Sequence, residues 1–182
     1  MEEYIAFFSL EPTQDNKGQI GAMLVTDDLG MPQEFRVTYP VKPTNLQKQL
    51  YGDSLDVHIG VNLCGQPLYK ALQHKPELLL VSQRQFLSLA NEVEAKVAHV
   101  KRSGDAIVVG GAGNESSKQN VHSNSGRFQP VNIFFPHDLN EQGQEKVSSV
   151  IKKYFQGIDL LEPFDRIRSA IEALADQDDR FR

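Results

Sequence analysis

Leu78-Leu79-Leu80-Val81, bounded by Pro76-Glu77 on one side and Ser82 on the other, is the stretch on which the fold turns. Four consecutive large aliphatic residues leave no polar face, so a strand built from them must be covered on both sides. Four to six residues suit a strand better than a helix, and Pro76 cuts the run off from the helical pattern before it. A doubly covered central strand needs helices on both faces of its sheet. That requirement places the chain in the α/β class, with α+β as the alternative.

Upstream, the chain reads as strands. Tyr4 to Leu10 is apolar and aromatic, Ile20 to Thr26 forms a second apolar run, and Pro12 to Gly18 between them is rich in turn residues. Asp27-Asp28-Leu29-Gly30-Met31-Pro32 makes the next connection. Glu34 to Val41 then alternates, with Phe35, Val37, Tyr39 and Val41 opposite Glu34, Arg36 and Thr38. Three successive strands with short links predict an antiparallel meander. Thr44 is placed to cap a short helix ending at Tyr51, with Gly52 as its stop. Leu55 to Leu63 fits both periods; the helical pattern resuming at Pro67 to Leu72 favours helix.

Downstream, Phe86, Leu87, Leu89 and Ala90 predict a short helix. Lys96 to Lys101 and Ala106 to Val109 read as a hairpin around Arg102-Ser103-Gly104-Asp105. Gly110 to Gly126 has almost no apolar residues and reads as a flexible loop. Phe128 to Phe135 is the next strand, with Pro130 at its entry. Asp138 and Glu141 suggest a capping box for a helix through Val147, Ile151 and Tyr154, stopped at Gly157. A second helix starts at Glu162-Pro163 and buries Phe164, Ile167, Ile171 and Leu174. Asp176 to Arg182 reads as a frayed tail. The whole is expected to form a single domain over residues 1–182.

Composition narrows the function classes. The chain has 182 residues, 40% hydrophobic and 24% charged, with a formal charge of −5, which are the proportions of a soluble globular protein. An acidic balance argues against a wholly electrostatic grip on nucleic acid or membrane, although it leaves room for a local basic patch. Cys64 is the only cysteine, so the expected compartment is a reducing one, the cytoplasm. No secretory pattern or membrane span is expected.

The candidate motifs are partial. Ala106 to Val109 leads into Gly110-Gly111-Ala112-Gly113, the beginning of a phosphate-binding loop, but Ser116 and Ser117-Lys118-Gln119 break the nucleotide fingerprints. Lys101, Arg102, Lys118 and Arg127, with Phe128 beside them, form a sparse basic set around that loop that could follow a polyanion. Tyr39 and Tyr51, with Lys42 and Lys48 at the rim, mark the connection from 39 to 52 as a surface for a protein partner. Its plainer reading is a stiff crossover. Asp56, His58 and Asn62 share a polar face only if that segment is a strand, and the histidines lack the paired spacing of a helical zinc motif. No metal site and no cofactor are expected, and Cys64 reads as a small core hydrophobe.

The order of three strands, helical segment, strand and helix resembles the ribonuclease H-like fold over roughly the first half of the chain. The resemblance implies carboxylates on the first strand, at the end of the central strand and on a late helix, where nucleases of that fold hold two divalent ions. Here the first strand offers Ser9 and then Glu11, the central strand ends in Ser82, and the late region offers Asp159, Glu162 and Asp165. With the acidic set incomplete, the leading expectation is a non-enzymatic binding or accessory protein in a larger assembly, with a protein partner and nucleic acid as a further ligand. The alternative is a metal-dependent nuclease or phosphoesterase using Glu11, Asp27, Asp28 and Asp159. A third reading is nucleotide or small-molecule binding at the Gly-rich loop.

Overall fold

The structure, a computed structural model, describes residues 3–104 and 118–182. Its centre is a seven-stranded mixed sheet in the order β3-β2-β1-β4-β5-β7-β6. The opening meander is present as β1 (Ile5–Pro12), β2 (Gln19–Thr26) and β3 (Pro32–Val37). β3 stops at Val37, and Val41 returns only as an isolated bridge to Gln19. β4 (Leu78–Val81) lies parallel to β1 and to β5 (Lys96–Arg102). All four residues of β4 are fully buried, as an uninterrupted aliphatic run requires.

Two apolar layers cover the sheet, and strand alternation sorts the side chains between them. Ile5, Phe7, Leu78, Leu80, Ala98 and Val100 face α4 (Glu141–Tyr154) and α5 (Glu162–Gln177). Ala6, Phe8, Leu79, Val81 and Val97 face the helical segments between β3 and β5. Those segments begin with α1 (Asn45–Tyr51), which Thr44 and Gln47 close with a capping box. A short helical turn, α2 (Leu55–Val57), a π-helix (His58–Gly65) and α3 (Gln66–Ala71) follow without a break. A 3-10 helix, Arg84–Asn91, follows β4.

The ambiguous stretch after residue 54 is therefore helical, and it packs unusually closely on its neighbours. A side chain at Gly60 would bring Cβ within 2.2 Å of Phe86 Cε1, and one at Gly21 would come within 2.4 Å of Cys64 Cβ. The helix thus lies directly on β2 and on Phe86, at a separation only glycine permits. Asp56 and His58 consequently do not share a strand face. Asp56 accepts a hydrogen bond from Gln19, and His58 stacks on Tyr51.

The second half departs from expectation in three places, and one further expectation falls on residues outside the description. β5 is joined at His99–Arg102 by β7 (Val131–Phe134), and the expected hairpin arm at 106–109 lies outside the described residues. Lys118–Val121, expected within a flexible loop, is a strand, β6, paired with β7 along its length; the residues of that loop before Lys118 also lie outside the description. Asn140, not Asp138, caps α4. The tail is docked: Phe181 stacks on Tyr39, and Arg182 Nε donates to the Ala175 carbonyl. Among the described residues no helix is long and apolar enough to cross a membrane.

Candidate functional site

Strand order creates one special place in this sheet. From β1 the chain moves to β2 on one side, whereas from β4 it moves to β5 on the other. The connections therefore diverge beyond the carboxyl ends of β1 and β4, the crevice where open α/β sheets bind ligands. Phe8 pairs with Val81, and the Ser82 N–H donates to the Phe8 carbonyl at 3.0 Å. Ser9 and Ser82 are thus neighbours on the face covered by α4 and α5. Two residues on, Glu11 occupies the same face at the end of β1.

Glu11 is held from two sides. Ser9 donates its hydroxyl to Glu11 Oε1, and Arg168 of α5 places Nε 3.6 Å from Oε2. The Glu11 side chain keeps only 15% of its exposure. On β5, strand alternation sends Arg102 to the same face, where Nη2 donates to Asp159 Oδ2 at 2.5 Å. Among the described residues, two atoms here lack any hydrogen-bond partner although they are buried: Ser82 Oγ and Arg102 Nη1. Buried polar groups are normally paired, so an orphaned hydroxyl and an orphaned guanidinium N–H on adjacent strands call for an explanation.

Of the other acidic candidates, Asp27 and Asp28 do not join this crevice. Asp27 and Asp28 follow Thr26, which pairs with Ile5 at the opposite end of β1. Six residues of strand put them roughly 20 Å from Glu11. Asp27 is occupied in the β2–β3 turn, accepting from the Leu29 and Met31 N–H groups at 3.0 and 2.9 Å. Asp159 is committed to Arg102 and, through Oδ1, to the Leu161 N–H. Among the described residues no group of three or more His, Cys, Asp or Glu could hold a metal ion. With serines at positions 9 and 82 and arginines on the two nearest carboxylates, the residues present do not fit a two-metal centre.

The basic and aromatic candidates are dispersed. Lys101 and Arg102 point to opposite faces of β5 by alternation, Lys118 opens β6, and Arg127 lies over the Phe128 ring. The expected partner surface is partly covered by the chain itself. Tyr39 carries Phe181 on its ring with Arg180 above it, and Lys42 bonds Asp15 and the Arg182 carbonyl. Tyr51 stacks on His58, and Lys48 sits in the last turn of α1. α1 itself buries no residue and leaves Leu46 and Leu50 exposed. The Gly-rich loop proposed for nucleotides lies outside the described residues. Reading the sequence missed Arg168: a lone arginine on the polar side of an amphipathic helix carries no local signal.

No family model and no curated protein matches the chain. Solved structures do. Human ENDOV is similar with a TM-score of 0.53 and 12% identity, over 80% of this chain and 74% of that one. Bacillus subtilis Endonuclease V has a TM-score of 0.49 and 13% identity, over 80% and 71%. Ciona intestinalis Endonuclease V, in complex with a 24mer DNA containing an inosine followed by a ribo-adenosine, has 0.45 and 12%, over 84% and 77%. The likeness to human ENDOV shows the fold to be ribonuclease H-like, as the element order implied. The expectation of a non-enzymatic accessory protein is corrected here: the fold is the one seen in human ENDOV.

Proposed function

We propose that this protein acts on nucleic acid as a nuclease of ribonuclease H-like fold, with the crevice between the carboxyl ends of β1 and β4 as its active site. The observation that carries the reading is the placement of Glu11. It is the candidate carboxylate that stands at the switch point, oriented by Ser9 and Arg168. A carboxylate so held suits proton transfer to or from a group attacking a phosphodiester. Arg168 and Arg102 set guanidinium groups beside it, which suits a phosphate backbone. The sole cysteine, Cys64, suits a protein working in the cytoplasm.

The test uses labelled single- and double-stranded DNA and RNA, incubated with the full chain in EDTA, in Mg²⁺ and in Mn²⁺. Cleavage is expected, with Glu11→Gln slowing it by about 100-fold, the lower range for loss of a general acid–base group. Substrate left intact under every condition, or cleavage unchanged in Glu11→Gln, sinks the proposal.

A further inference from the structure

The two orphaned atoms point to a ligand that accepts hydrogen bonds. Arg102 Nη1 can only donate, and Ser82 Oγ can donate as well as accept. Ser82 lies beside Val100 in the β4–β5 register, so Arg102 begins two residues further on the same face. By strand spacing their Cα atoms are about 8 Å apart, a gap that an oxygen-rich group of phosphate size can bridge. The same crevice is unsuited to a cation. Its carboxylates already face guanidinium groups, Glu11 and Asp165 facing Arg168 and Asp159 facing Arg102. An arriving divalent ion would have to displace both arginines, whereas an arriving oxyanion meets donors that are unused.

We infer that this crevice takes a phosphate oxygen of the nucleic-acid backbone directly on Arg102 Nη1 and Ser82 Oγ, with guanidinium groups standing where nucleases of this fold use divalent ions. The inference rests on the reading that the protein acts on nucleic acid, and it fixes how the backbone is held. Glu11 and Asp159 keep the arginines oriented, and Asp165 holds Arg168 from the other side at 2.8 Å, so the cluster carries no excess of positive charge. Recognition then depends on hydrogen-bond geometry more than on net charge, in keeping with an acidic chain.

The experiment measures fluorescence anisotropy of a labelled single-stranded oligonucleotide with the full chain, once in EDTA and once in Mg²⁺. Binding of equal strength in the two buffers is expected. Ser82→Ala and Arg102→Lys should each weaken it roughly tenfold, the loss that goes with one hydrogen bond to a charged group. Should Arg102→Lys fail to fold, Ser82→Ala carries the test, since it removes a hydroxyl without an internal partner. Binding that requires Mg²⁺, binding unchanged in Ser82→Ala, or no binding in either buffer overturns the inference. The two proposals separate cleanly. Metal-independent, Ser82-sensitive binding without cleavage removes only the nuclease reading; Mg²⁺-dependent binding with cleavage removes only this one.

Discussion

Glu34 and the carboxyl-end crevice handle buried polarity in opposite ways. The Glu34 side chain, 9% exposed, receives Arg36 Nε, the backbone N–H groups of Gln73 and His74, and the His74 ring nitrogen. It fastens β3 to the segment leading into β4. Burial pushes the carboxyl up, but the hydrogen bonds from His74, Arg36 and Gln73 outweigh it and hold the group at about 2. In the crevice, Ser82 and Arg102 each keep an atom with no partner among the described residues. A saturated polar cluster belongs to the fold; one with open donors fits the oxyanion site inferred above. Tyr154 follows the Glu34 pattern: its buried hydroxyl donates to Glu77, and burial with that carboxylate pushes its pKa up.

The contrast can be broken at several points. Glu34→Ala leaves two backbone N–H groups and Arg36 without their acceptor, and should cost about 3 kcal/mol in urea unfolding. A loss below about 1 kcal/mol would place Glu34 with ordinary surface pairs instead. Acid probes the same cluster without mutation. A carboxyl at about 2 when folded and 4.5 when unfolded stabilises the protein fully above the unfolded value. That contribution disappears as pH falls from about 4.5 to about 2, and is worth roughly 3 kcal/mol. Urea midpoints across this window should fall less steeply in Glu34→Gln than in the parent.

Smaller effects sharpen the other side. Asp27→Ala removes the acceptor for two turn N–H groups at an exposed site, and should cost about 1 kcal/mol. Ser82→Ala should do the reverse without ligand, leaving stability unchanged or raising it by up to about 1 kcal/mol, because an unpaired buried hydroxyl is removed. A drop of more than about 1 kcal/mol in thermal or urea unfolding would show that Ser82 has a structural partner, and the comparison would fail.

Much of the framework was legible because it rests on local rules. Leu78 to Val81 suited a doubly covered strand, Thr44 was placed to cap α1, and Pro163 suits the first turn of α5. The π-helix was not legible. Its seat on the sheet depends on Gly60 and Gly21 letting Phe86 and Cys64 come close across the fold, contacts that no helical or strand period encodes. β6 was missed for a similar reason: Lys118–Val121 is polar on its own and becomes a strand only by pairing with β7.

The candidate site divides along the same line. By itself the sequence determined that the first strand carries Ser9 and Glu11 and that the central strand ends in Ser82, since chain order and alternation suffice for that. Tertiary structure alone decided that Asp27 and Asp28 stand at the far end of β1, and that Arg102 and Arg168 come to the near one. Sheet order and helix packing made those choices. Both join residues dozens of positions apart, and their energies depend on surfaces that exist only once the layers have met.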